Sequence, residues 1–329
     1  MQRIDCTIII INWNSWDYLF PCIEAVYQQT FQGFHLIVVD NASSDQAPAS
    51  LLNQYPRLTF IQNHSNVGFA AANNQAIQIA DDCQWIVLLN PDTIPSKTWL
   101  ERLCKAPTVY PDFSFFGSRL IMADATGRID GVGDVYHMSG LVWRSGHGLD
   151  ASSLSDEPKE IFSPCAAAAM YRRDDVLSVG GFDEDYFCYN EDVDLGFRLR
   201  LAGGRALSVP DSVVLHHGSG TTSVRSDFAV YYGHRNLVWT WFKDMPMVML
   251  WLFLPVHVLY NIACVVLYIV RGQGAVILQA KWDAVKGLRK VWSKRKTIHV
   301  TSRASLWSIW KIINTCLIIG PINKYRKIS

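Results

Sequence analysis

A chain of 329 residues, half of them apolar, can bury a full core, so one large domain or one domain with an appendage is expected. Its eight cysteines are scattered without short paired spacings, which excludes a zinc ribbon and a dense disulfide scaffold and points to reduced thiols in a cytosolic setting. The net charge of +1 hides an asymmetry, since residues 271–329 hold 13 Lys/Arg and the single acid Asp283, leaving residues 1–270 at −11.

Met1 to Asp5 runs straight into an apolar segment with no secretory signal. Thr7 to Ile11 is a continuous β-branched run, as in a strand buried on both faces. It ends in Asn12-Trp13-Asn14, and Asp17 to Gln29 reads as a helix. Leu36 to Val39 is a second buried strand, closed by the polar turn Asp40-Asn41-Ala42-Ser43-Ser44-Asp45. Phe60-Ile61 is a short third strand, followed by Asn66-Val67-Gly68 and a helix from Phe69 to Ala80. Trp85 to Leu89 is a fourth strand, running into Asn90-Pro91-Asp92. Alternating strands and helices, with polar residues massed at the strand ends, predict an open α/β sheet with its site along one edge.

Further on, Ile121 to Gly148 is rich in Gly, Asp and His; it is similar to the covering loop of a known family and is expected to be mobile over the site. Ala166 to Ala169 packs small side chains and reads as a strand passing close under the site. Gly180-Gly181-Phe182-Asp183-Glu184 precedes an aromatic run and then Glu191-Asp192-Val193-Asp194, three carboxylates within four residues at a helix start. A helix dipole accounts for one or two of them, less readily for three. Val213-Val214-Leu215 is another buried strand, ending at His216-His217.

In this order the pieces resemble the nucleotide-binding half of family 2 glycosyltransferases, inverting enzymes of the GT-A fold, and are most similar to the rhamnosyltransferase-like members. The resemblance spans about residues 5–240 and implies a mixed, mainly parallel sheet flanked by helices. It implies contacts to a UDP- or dTDP-sugar at Asn12, Asn14, Asp40, Asn66, Gly68, Asn73, Asn90 and Arg235. Asp40 would accept the ring N–H of the base; the other use of such an Asp is to hold its own turn. Asn66 and Gly68 precede a helix start, where free N–H groups suit a phosphate or ribose, and the same residues also suit a plain N-cap.

Asn90-Pro91-Asp92 occupies the place of the family's Asp-x-Asp motif, so Asp92, with His217, would hold Mg²⁺ or Mn²⁺ through hard ligands. Asn90 departs from the pattern by removing a charge while keeping an oxygen. Asp192 would be the base that deprotonates the acceptor, with Glu191 beside it binding acceptor or tuning charge; Asp194 reads as structural. A catalytically silent nucleotide-sugar-binding or scaffolding subunit is the alternative.

The catalytic domain is expected over residues 1–240 and a helical, membrane-associated region over 241–329. Met245 to Val270 is 26 residues without a formal charge, where about 20 suffice to span a bilayer. Pro255, His257 and Asn261 interrupt it, and a straight crossing would carry the basic tail away from the cytosolic side that a nucleotide-sugar enzyme must face. An interfacial or bent element on the cytoplasmic face is therefore expected, with an anionic membrane surface rather than nucleic acid as the tail's partner and a lipid-linked or growing surface glycan as acceptor. A soluble helical subdomain packed on the sheet is the competing reading.

Overall fold

The computed structural model describes residues 6–45, 54–55, 58–81, 83–124, 126–218 and 226–317. In chain order, β1 (Cys6–Asn12) leads through α1 (Trp16–Tyr27) to β2 (Phe34–Asp40). Next come β3 (Leu58–Gln62), α2 (Phe69–Ile79), β4 (Trp85–Leu89), β5 (Thr93–Pro95) and α3 (Trp99–Val109). The middle of the chain forms β6 (Phe115–Met122), β7 (Ile129–Gly131), β8 (Asp134–Tyr136), β9 (Val142–Arg144), β10 (Lys159–Ile161) and β11 (Ala168–Arg172). After these come α4 (Arg173–Ser178), α5 (Glu191–Leu201) and β12 (Ala206–His216). Four helices follow: α6 (Asp227–Asp244), α7 (Met247–Val270), α8 (Gly274–Val300) and α9 (Leu306–Ile312).

The main sheet has the order β10-β12-β6-β11-β4-β1-β2-β3. β1 pairs in parallel with β2 and β4, and β2 in parallel with β3. Four strands therefore end on one edge, which carries Asn12, Asp40, Gln62 and Asn90. The apolar runs are continuous because both faces are covered. Ile8, Ile10, Val38 and Val87 pack with Leu19, Ile23, Trp99 and Leu103 of α1 and α3. Their alternates Ile9, Ile11, Ile37 and Leu88 pack with Ala76 and Ile77 of α2 and Leu195 and Leu199 of α5.

Two expectations change here. The segment read as a mobile loop forms β7 and the β8–β9 hairpin, and its Tyr136, Met138 and Ser139 are buried. They are buried because the C-terminal helices cover them. Tyr136, Met138, Phe197, Trp241, Met249, Phe253 and Ile309 share one core, and Trp241 donates its indole N–H to Met138 O (2.9 Å) while stacking on His257. The division expected after residue 240 falls inside α6.

α7 is the one described helix long and apolar enough to cross a membrane, yet both its ends are tied to the body. At its start, Arg295 of α8 donates to the carbonyls of Phe242, Lys243 and Met245. At its far end, Gln273 donates to Asp227 at the head of α6 (2.7 Å). α7 therefore runs antiparallel alongside α6 and α8 for its length of about 36 Å. Met249, Phe253, His257 and Cys264 face inward, while Trp251 and Leu259 are 62% and 66% exposed on the outer face.

Candidate active site

The ends of β1, β2 and β3 form a hydrogen-bonded rim. Asp40, 2% exposed, accepts from Asn12 Nδ2 (2.8 Å), Ser43 Oγ (2.5 Å), Ser43 N (3.2 Å) and Gln62 Nε2 (2.6 Å). Four donors fill the lone-pair sites of one carboxylate, so Asp40 here braces three strand ends. A base ring N–H reaches it only by displacing Ser43 or Gln62. Asn14, exposed and in the left-handed region (φ 51°), accepts from Ser44 N (2.7 Å) and holds the same turn. Asn12 Oδ1 is buried without a hydrogen-bond partner.

The helix start that was expected to offer free N–H groups is already satisfied. Asn41 binds Asn66 Oδ1 (2.8 Å) and Val67 N (3.1 Å), and Asn66 Oδ1 also accepts from Gly68 N (2.9 Å). Phe69 N and Ala70 N both donate to Phe187 O. Gly68 has φ 88°, and a Cβ there would sit 2.7 Å from Phe187 O, so glycine is needed for this close approach. Asn73 bonds back to Phe69 O in its own helix (2.9 Å), a local bond open to any short amide in a helix. Neither Asn73 nor the α2 N-terminus is free for a phosphate.

The same edge continues at Asn90–Asp92. Asp92 is buried, and the imidazole beside it is that of His216, with Nε2 3.4 Å from Oδ1. His217 is exposed; its ring lies against Tyr18 (5.1 Å) and its backbone N–H donates to Asp92 O (3.0 Å). Strand alternation is the reason. Ser212, Val214 and His216 point inward along β12, so the next residue points out. That period was readable from Val214 and could have selected His216. His216 Nδ1 also bonds Asp130 Oδ2 (2.7 Å). Burial opposes its charged form, but Asp130 and Asp92 outweigh this and raise its pKa.

α5 begins with Glu191 and Asp192. The loop before it is strained, with Phe187, Tyr189 and Asn190 at φ 65°, 64° and 64°, each costing about 1–3 kcal/mol. Asn236, fully buried on α6, holds it by donating Nδ2 to Tyr186 O (3.0 Å), Cys188 O (2.8 Å) and Tyr189 O (2.8 Å). Arg235, expected at the diphosphate, serves the same loop, donating to Asp185 O and Tyr186 O while stacking over Trp239. Its guanidinium is drawn there by two open carbonyls and an aromatic face.

Asp192 Oδ2 accepts from Ala166 N (3.1 Å) and Oδ1 from Val193 N (2.8 Å). Burial raises its pKa against these bonds and Arg144. Burial, then Asp192 and Asp194, push Glu191 well above the usual carboxylate range, and Glu191 Oε2 has no hydrogen-bond partner. Asp194, fully buried, is ion-paired with Arg198 (2.7 Å) and Lys243 (2.5 Å); burial pushes its pKa up but the two cations pull it below the ordinary value. Of the three carboxylates, Glu191 and Asp192 are pushed up by burial, and Asp194, held by two cations, has the environment of a structural anion.

Residues 7–177 match the family model described as Glycosyl transferase family 2. The chain belongs to that family. It is a rhamnosyltransferase-like member with the GT-A fold. It is 25% identical over 241 residues to an N-acetylglucosaminyl-diphospho-decaprenol L-rhamnosyltransferase of Mycobacterium tuberculosis, covering 65% of this chain and 76% of the relative. It is 30% identical over 225 residues to the rhamnosyltransferase WbbL of Escherichia coli, covering 64% of this chain and 82% of the relative. Among solved structures, a mannosyltransferase of Pyrobaculum calidifontis in complex with GDP-Man and Mn²⁺ superposes with a TM-score of 0.53 at 16% identity, over 93% of this chain and 87% of that one.

Among the described residues of this glycosyltransferase, no three His, Cys, Asp or Glu side chains converge as a metal cage. The donor set nevertheless suits a divalent cation bound mainly by substrate. Asp92 supplies one hard carboxylate at the strand end, and such ions are commonly held by one or two carboxylates plus substrate phosphates.

Proposed function

We propose that this glycosyltransferase moves a sugar, rhamnose as first choice, with inversion from a UDP- or dTDP-sugar to a lipid-linked or growing surface glycan. The observation that carries the reading is that one short segment joins the two acidic motifs: Ala166 N–H donates to Asp192 Oδ2 (3.1 Å) while Ala167 O accepts from Asn90 N (3.0 Å), two residues before Asp92. Asp192 takes the acceptor's hydroxyl proton as that oxygen bonds to the anomeric carbon, and the bond to the diphosphate breaks with its electrons leaving on the phosphate. Asp92 would hold Mg²⁺ or Mn²⁺ together with the substrate's phosphate oxygens, and the ion would neutralise the departing diphosphate; His217, expected as a second ligand, is turned out to Tyr18 and leaves that place to the substrate. Asn12, Asn14 and Asn90 line the donor rim. The two rhamnosyltransferase relatives support the sugar, and the decaprenol-linked substrate in the first one's name supports the acceptor class.

A thermal-shift panel of nucleotide-sugars with and without Mg²⁺ or Mn²⁺ tests the donor. A cognate sugar at about a hundredfold its Kd adds about 2.7 kcal/mol, a clear rise in Tm that Asp92→Ala is expected to weaken in the presence of metal. Failure of every UDP- and dTDP-sugar to stabilise the protein sinks the donor assignment. Wild-type protein that binds donor yet turns over no glycan acceptor would favour a scaffolding subunit instead.

We also propose that α7 lies in the headgroup plane on the cytoplasmic face rather than spanning the bilayer. Support comes from its two tethered ends, its exposed outer face, and exposed aromatics beside cations, Trp282 with Lys286 and Trp307 with Lys311. The short apolar run after Lys311 falls partly outside the described residues. Flotation with anionic vesicles is expected to recover the protein, with less binding to neutral vesicles. Trp251→Glu with Leu259→Glu should weaken it at least about tenfold, because two large apolar side chains lose their burial in lipid. Resistance to carbonate extraction would overturn the in-plane placement.

A further inference from the structure

Asp134 on β8 is a buried carboxylate for which the mechanism above has no use. Its N–H donates to Ser163 O (2.8 Å), and its Oδ2 accepts from Ser163 Oγ (3.0 Å). Three residues later, Ala166 N–H donates to Asp192 Oδ2 (3.1 Å). The turn Ser163-Pro164-Cys165-Ala166 is thus gripped at one end by Asp134 and at the other by Asp192. Gly196, one turn along α5 from Asp192, presses on the same turn, since a Cβ there would lie 2.5 Å from Ser163 Cβ. The helix that carries Asp192 and the turn that orients its carboxylate are packed as one unit.

Resting on the reading of Asp192 as base, we propose that Asp134 is a positioning residue for it, holding the Ser163–Ala166 turn against α5 and sharing a single buried charge with Asp192. Facing the two carboxyls are Arg144 from β9, Asp130 from β7, Cys165 from the turn, Tyr171 from β11 and Glu191 from α5. Arg144 is the cation of this group, and it is already ion-paired with Asp130. A second ionised carboxyl would therefore stand buried without a counter-charge, which is strongly unfavourable. Burial, then the charge of Asp192, push Asp134 up to about 8; burial carries Cys165 to about 12 and Tyr171 well up, so neither adds charge at neutral pH. During transfer the acceptor's proton moves to Asp192, and Asp134 keeps its own.

The experiment is the pH profile of kcat/KM for wild type, Asp134→Asn, Asp134→Ala and Asp192→Asn, with thermal shift by UDP as the check on folding. Asparagine is a neutral isostere of the protonated acid. Asp134→Asn should keep activity at pH 7 within about threefold and superimpose on the acid limb. It should also lose the alkaline limb that in wild type follows loss of the proton held by the Asp134–Asp192 pair. Asp134→Ala, which frees the turn, should lower kcat about 10²-fold with donor KM unchanged. An alkaline limb that persists in Asp134→Asn, or a pH 7 loss in it as large as in Asp134→Ala, overturns the proposal. Retained turnover in Asp192→Asn would instead overturn the base assignment, so the two failures are distinguishable.

Discussion

Asp192→Asn is expected to lower kcat for sugar transfer by about 10³-fold, in the middle of the range for loss of a general base, while UDP still raises the Tm as in wild type. The carboxylate now accepts from Ala166 N–H on Oδ2 and from Val193 N–H on Oδ1; asparagine keeps its oxygen for one of the two, so the turn can stay attached to the helix while the proton acceptor is lost. Glu191 cannot replace it. Burial and two like charges hold its carboxyl protonated, and it stands one helical position away. Glu191→Gln should therefore cost far less in kcat than Asp192→Asn under the same assay, and a larger loss at Glu191 would reassign the base.

Lys243→Ala is expected to destabilise the protein by about 3–5 kcal/mol, the cost of leaving buried charges without their partner, as read from the midpoint of chemical denaturation. Lys243 is 1% exposed and joins Asp183 and Asp194, each at 2.5 Å. Asp183 belongs to the Gly-Gly-Phe-Asp-Glu motif, Asp194 to the acidic cluster, and Lys243 to α6, so one ammonium fastens the strained loop to the C-terminal helices. Lys294 of α8 binds Asp183 from the other side (2.5 Å). The pH dependence has a definite sign. Burial pushes the Asp183 carboxyl up, but Lys243 and Lys294 pull it far below the ordinary value. A depressed folded-state pKa means this stabilisation is present above the unfolded carboxylate's pKa and is lost as the pH falls below it. Acid unfolding should therefore begin at higher pH in Lys294→Ala than in wild type; an unchanged acid transition would count against the linkage.

The same ion pairs bear on how the site is built. Lys243 and Lys294 come from the helical region that the sequence reading set apart from catalysis, and Arg235 and Asn236 from the end of the expected catalytic domain, yet all four hold the loop leading into Glu191-Asp192. Nothing local marks Asn236 as a triple donor, because its partners are main-chain carbonyls about fifty residues earlier. Arg235 lay in a family position and was placed at the diphosphate, whereas the open carbonyls of Asp185 and Tyr186 claim it. The Gly-rich stretch from Ile121 to Gly148 looked like a loop because its strands are three residues long, too short for an alternating pattern to register. Asp130, Asp134 and Arg144 were overlooked with it.

By itself the sequence determined the parallel strands, the edge on which they end and the identity of the acidic clusters. Strands buried on both faces must be apolar throughout, so the polar residues that break each run mark the strand ends and hence the site. Only the tertiary structure decided which polar groups meet. It turned His216 rather than His217 to Asp92, filled the lone pairs of Asp40, capped α2 with the Phe187 carbonyl and set Asp134 and Asp192 at the two ends of one turn. It also laid α7 along the body with both ends fastened. Hydrogen bonds and ion pairs across gaps as long as the 86 residues from Asp130 to His216 depend on where packed elements bring side chains, and local propensity carries no record of that distance.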